Sequence, residues 1–209
     1  MKKKNIKIIA ILLVASILFT ILVKTVGVAP AGDTKTEVGF SVINDAFHKL
    51  TGVNWTVYKI TDILGILPIL MAGCYAIVGL RQAIKRKSIM KVDKEIIALG
   101  IFYVAVLFVY VFFEKVIINY RPVLVDGELE ASYPSSHTLL SLCICGSTLL
   151  LNTRLFKRIK IAKYESYVAL VSMVLIFVGR TFSGVHWITD IIGGVLISAT
   201  LLYSYYTAL

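Results

Sequence analysis

Long apolar runs, rather than a short alternation of apolar and polar residues, organise this chain. Six stand out: Ile6 to Val23, Val57 to Leu80, Ile96 to Ile118, Thr138 to Leu151, Tyr167 to Phe182, and Ile188 to Tyr206. A bilayer crossing takes about 20 mostly apolar residues, and hydrocarbon offers no partner for a bare peptide group, so each run is predicted to be a spanning helix. The fourth run is short. It reaches spanning length only by adding Ser135, Ser136, Asn152 and Thr153, which suits a helix end facing protein or water; a re-entrant segment is the alternative. The expected fold class is all-α: one membrane domain over residues 1–209, a bundle of six transmembrane helices. Between the first two spans, Val38 to Leu50 is expected to form a short interfacial helix, with Trp55 and Tyr58 as anchors at headgroup level.

Composition agrees with the pattern. Of the 209 residues 58% are hydrophobic and 16% charged, and the mean hydropathy of +0.85 lies well away from soluble domains. A net charge of +10 could point to nucleic acid. Its distribution gives a simpler reading. Of 22 Lys and Arg, 15 gather in three places: Lys2, Lys3, Lys4 and Lys7; Arg81, Lys85, Arg86, Lys87, Lys91 and Lys94; Arg154, Lys157, Arg158, Lys160 and Lys163. With six spans these share one side, which the positive-inside rule makes cytoplasmic together with both termini, and nucleic acid is set aside. The Lys-rich start and Ala29-Pro30-Ala31 also fit a secretory signal with its cleavage site, but the apolar stretch is long for one, and a retained anchor is expected. Cys74, Cys143 and Cys145 lie inside apolar runs and are read as packing residues rather than a disulfide or zinc set.

Ionisable residues are costly near membrane helix ends, so three polar clusters call for a reason. They are Lys115 with Arg121-Pro122, Tyr133-Pro134-Ser135-Ser136-His137, and the stretch from Gly179 through Arg180 and His186 to Asp190. Counting from a cytoplasmic amino terminus, all three fall on the outer side. Arginine forks can grip phosphate oxygens, and Lys115 would add a point charge. Of two histidines, one can attack phosphorus as neutral imidazole while the other donates a proton to the leaving oxygen. His186 and Asp190, four apart, would share a helix face, so the carboxylate could hold the imidazole tautomer. Ser135, Ser136 and His137 open a helix whose free N–H groups favour an anion. Asp126, Glu128 and Glu130 read as a solvated loop face rather than a metal site; His48 reads as structural or exposed. Trp187 would line the lipid path or anchor its helix, and Glu114 is assigned no role beyond pairing with Lys115 or Arg121.

The constellation resembles the type 2 phosphatidic acid phosphatases, or lipid phosphate phosphatases, whose motifs read KxxxxxxRP, PSGH and SRxxxxxHxxxD. The third is intact in spacing as Arg180, His186 and Asp190, with Gly179 replacing the leading Ser; the second appears as Pro134-Ser135-Ser136-His137, with Ser136 for Gly. In the first, five residues rather than six separate Lys115 from Arg121, which rotates the lysine by about 100° on a continuous helix. The resemblance implies a metal-independent membrane phosphatase acting on a lipid phosphomonoester or diphosphate: phosphatidic acid, phosphatidylglycerol phosphate or polyprenyl diphosphate. It implies His186 as a nucleophile forming phosphohistidine, His137 as the leaving-group acid and Asp190 as the partner of His186. Arg121, Arg180, Ser135, Ser136 and Lys115 are then the candidate phosphate ligands, with no cofactor. A lipid or anion transporter, or a binding protein, on the same scaffold is the alternative.

Overall fold

A computed structural model describes residues 2–209. Eight α-helices form it: α1 (Lys3–Thr25), α2 (Ser41–Thr51), α3 (Trp55–Leu64), α4 (Ile66–Arg86), α5 (Lys94–Lys115), α6 (Ser136–Arg154), α7 (Lys160–Phe182) and α8 (Ile188–Ala208). Five segments are long and apolar enough to cross a bilayer: α1, α3 with α4, α5, α7 and α8. They cover five of the six predicted runs. The sixth, α6, is 19 residues long, about 28 Å at 1.5 Å per residue. It is too polar to be counted with the others because it is the inner helix, packed against α4, α5, α7 and α8 and burying Ser141, Ser147, Thr148 and Asn152.

The second run is not one helix. Pro68 has no N–H to give the Leu64 carbonyl, so the chain breaks at Gly65 into α3 and α4. The third run ends earlier than predicted: α5 stops at Lys115, and residues 116–135 form an extended loop with bridges between Tyr120 and Ala131 and between Val125 and Glu128. This loop, the C-terminal ends of α1, α5 and α7 and the N-terminal ends of α3, α6 and α8 lie at one end of the bundle. The 15 clustered basic residues belong to the opposite end.

A cap covers the first end. Strands β1 (Ala29–Ala31) and β2 (Thr36–Val38) pair antiparallel, and the Asp33 and Thr34 N–H groups in their turn donate to the Pro122 carbonyl. Helix α2 buries Ser41, Asn44 and His48 and exposes Val42, Ile43 and Leu50. The Asn44 amide donates to Thr189 Oγ1 (3.0 Å), which fastens α2 to the start of α8. A helix is present where Val38 to Leu50 was expected to form one, as Ser41–Thr51, with one face committed to the protein.

Candidate functional site

His186 lies in the short connection from α7 to α8, one residue before the Trp187 N-cap of α8. Two features hold that connection. Gly184 has φ +70°, and a Cβ there would meet the Gly52 carbonyl oxygen at 1.7 Å, so only glycine fits. The Asn54 N–H donates to the Ser183 carbonyl, docking the connection under the start of α3. His186 is thus off the helix and, contrary to expectation, shares no helix face with Asp190. The shortest contact between them, Nδ1 to Oδ2, is 3.7 Å.

Ser132 fills that gap. Its hydroxyl donates to Asp190 Oδ2 (2.5 Å), and its oxygen lies 3.1 Å from His186 Nδ1. One hydroxyl has one proton, so with that proton on Asp190 the Ser132 oxygen accepts from His186 Nδ1–H. This fixes the tautomer and leaves Nε2 with a bare lone pair. Nε2 is buried without a hydrogen-bond partner. Burial first, then the charges of Arg121 and Arg180, hold His186 well below its ordinary pKa, so the imidazole is neutral. Asp190 also accepts from Asn119 Nδ2 (3.0 Å) and the Trp187 N–H (2.9 Å), while its carbonyl accepts from the Ser135 N–H. One carboxylate thereby joins the two loops to the head of α8.

A cavity of about 480 Å³ opens at this end, and His186, His137, Arg121, Ser132, Ser136 and Glu114 are among its walls. Arg121 is 7% exposed; its Nη2 pairs with Glu130 (3.1 Å) while Nε and Nη1 have no partner. Arg180 is fully buried, with Nε and Nη1 likewise unpartnered and Nη2 donating to Asp62 Oδ1 (2.9 Å). His137 opens α6, and its Nε2 lies 3.2 Å from the same Asp62 oxygen. Tyr58 lies against both arginines, its ring centre 4.3 Å from Arg180 Cζ and 5.8 Å from Arg121 Cζ. Arg121 lines this cavity, while Arg180 is buried behind the wall against Tyr58; a buried unsatisfied donor is costly, and an anionic ligand oxygen that reached these guanidiniums would remove that cost.

The candidates divide accordingly. His186, Asp190, His137, Arg121, Arg180 and Ser136 come together at this end. Ser135 is buried behind the cavity, where its Oγ accepts from Thr138 (3.1 Å). Lys115 is exposed at the last turn of α5 and is not on the cavity wall, where Glu114 stands instead. Trp187 is neither a lipid-path residue nor an anchor: it is fully buried against Ala31 and Val38, and its Nε1–H donates to the Tyr120 carbonyl. Its edge packs on His48, which is also buried. Glu130 is an exposed loop carboxylate, as expected, and it also pairs with Arg121. Among the described residues, no group of three or more His, Cys, Asp or Glu is placed to hold a metal.

Sequence reasoning missed Ser132, Asn119, Tyr58 and Asp62. For Asp62 a signal existed, since it is an acid inside an apolar run. Tyr58 had been expected as an interfacial anchor.

Comparison with known proteins bears on the fold and the family. The fold matches the crystal structure of a transmembrane PAP2 type phosphatidylglycerolphosphate phosphatase from Bacillus subtilis, with a TM-score of 0.63 and 18% identity over 95% of this chain and 94% of that one. A 79-residue stretch is 33% identical to lipid phosphate phosphatase delta of Arabidopsis thaliana, covering 37% of this chain and only 19% of that relative. The PAP2 superfamily model matches residues 97–209, just over half of the sequence and the part that carries all three polar clusters, and the chain belongs to that superfamily.

Proposed function

We propose that the protein hydrolyses the phosphomonoester or diphosphate of a membrane lipid through a phosphohistidine on His186. The observation that carries this reading is the bare, buried Nε2 of His186 beside the unpartnered donors of Arg121 and Arg180. Nε2 attacks phosphorus as the bond to the leaving oxygen breaks, and His137 gives that oxygen a proton. Water then attacks the phosphohistidine with His137 taking its proton, which releases phosphate and restores both residues. The arginines and Ser136 hold the equatorial oxygens, so the scheme needs no metal.

A lipid substrate fits the surroundings. An apolar cleft of about 410 Å³ between α1, α5 and α8, lined by Leu13, Ile17, Phe108 and Phe112 among others, shares Phe113 with the polar cavity. A headgroup in the cavity would leave its chain at that cleft. We place α6 as a sixth, protein-buried crossing, and the cavity on the extracytoplasmic side, opposite the clustered lysines and arginines.

The test is phosphate release by detergent-purified protein from phosphatidic acid, phosphatidylglycerol phosphate and polyprenyl diphosphate, with and without chelator. Release from at least one of them, unaffected by chelator and lost in His186→Ala, is expected. No release from any contradicts the reading. Movement of labelled lipid across liposomes without phosphate release would instead favour a transporter on this scaffold.

A further inference from the structure

Helix α3 lies outside all three motifs, yet one of its faces borders the site. Tyr58, Thr61, Asp62 and Gly65 are spaced i, i+3, i+4 and i+7, which places them on one stripe. Tyr58 packs on both arginines, and Asp62 Oδ1 accepts from Arg180 Nη2 and faces His137 Nε2. Gly65 has ordinary helical angles, φ −59° and ψ −17°, so its backbone does not require glycine. The close approach does: a Cβ there would stand 2.9 Å from His137 Cδ2 and 3.1 Å from Nε2. Thr61 explains Gly179, because a Cβ at 179 would meet Thr61 Cγ2 at 2.3 Å.

We propose that Asp62 is the positioning residue of the leaving-group acid. This rests on the reading of His137 as that acid. With Nε2–H held by the Asp62 carboxylate, the nitrogen left for substrate is Nδ1, which is buried and has no partner. In the first step the new bond joins His186 Nε2 to phosphorus, the phosphorus–oxygen ester bond breaks, and the Nδ1 proton of His137 passes to the leaving oxygen. In the second, water gives its proton back to Nδ1 as its oxygen displaces His186. The Asp62 carboxylate accepts from Nε2–H in both steps and offsets the positive charge of the imidazolium. The acid then has its own carboxylate, as the nucleophile has Asp190 through Ser132. The groups facing His137 that bear on its charge are Arg180 from α7, Asp62 from α3 and Arg121 from its loop, together with the neutral His186. Asp62 is the one anion among them.

The experiment compares Asp62→Asn with wild type on short-chain phosphatidic acid, whose alkoxide leaving group needs a proton, and on p-nitrophenyl phosphate, whose phenolate does not. In kcat/KM the variant is expected to lose about tenfold or more on the lipid and less than about threefold on the aryl ester. Vanadate inhibition should hold or tighten, because Arg180 Nη2 is released. The basic limb of the lipid pH profile should move to lower pH, since an imidazolium without its anion gives up its proton more easily; where the aryl ester turns over too slowly to read, that limb decides alone. Gly65→Ala, which pushes the ring rather than removing the carboxylate, should show the same split. Equal losses on both substrates, or no loss and no shift of the limb, overturn the assignment. His186→Ala abolishes both reactions whatever Asp62 does, so failure here leaves the nucleophile reading standing.

Discussion

His186 and Asp190 stand 3.7 Å apart at their nearest nitrogen and oxygen, and the Ser132 hydroxyl bridges them at 3.1 Å and 2.5 Å. The carboxylate reaches the imidazole through a loop hydroxyl that belongs to no motif. Ser132→Ala is therefore expected to lower kcat/KM by about 10- to 100-fold, which corresponds to a charge-assisted hydrogen bond of about 1.5 to 3 kcal/mol. Thermal unfolding should change little, as Asp190 keeps Asn119 and the Trp187 N–H. Activity within threefold of wild type would show that the bridge is idle.

The same bridge makes a prediction about protonation. Burial and two guanidiniums lower the His186 pKa, and lowering favours the neutral form, so protonation comes only at a pH below the usual His value of about 6.5. Nitrogen-15 NMR of histidine-labelled protein in detergent should show His186 as the neutral Nδ1–H tautomer from pH 8 down to 6. Imidazolium shifts appearing near 6.5, or the Nε2–H tautomer, would contradict the hydrogen-bond order at Ser132.

Gly179 stands where the family motif has serine. Restoring it with Gly179→Ser should destabilise the fold by about 1 to 3 kcal/mol, because the new Cβ overlaps Thr61 Cγ2. Thr61→Ala removes that methyl group, so the double variant should recover most of the loss in a thermal melt. Additive losses would mean that the two positions do not couple.

The two cations of the first motif should separate in kinetics. Arg121→Ala removes a buried guanidinium on the cavity wall and is expected to reduce kcat/KM by about 100-fold or more. Lys115→Ala removes an exposed charge off the wall and should cost less than threefold. A large loss at Lys115 would require α5 to extend and rotate when substrate binds.

Most of the bundle was legible because spanning helices write themselves as long apolar runs, and five of the six runs returned as apolar segments of spanning length. What escaped was local. The break at Gly65 was marked by Pro68 but masked by unbroken hydropathy, and α5 ended three residues early because Val116 to Ile118 are as apolar as the helix before them. In the site, Arg180, His186 and Asp190 were found by spacing, and the structure gathers them. Their orienting partners were not, because Ser132 and Asn119 belong to a loop with no period, and reach Asp190 only after the loop folds back. Trp187 misled because a tryptophan at a helix end usually marks the membrane surface. Here the cap of β1, β2 and α2 covers it.

The central claim is that His186 Nε2 becomes bonded to phosphorus. Protein mixed with lipid phosphate, quenched at alkaline pH where phosphohistidine survives, digested and read by mass spectrometry, should carry one phosphate on His186 and none on His137. That adduct should accumulate in His137→Ala supplied with an aryl phosphate, since attack needs no acid there but release still needs a base. Phosphate found on His137, or turnover with no adduct on His186 even in that variant, would contradict the account.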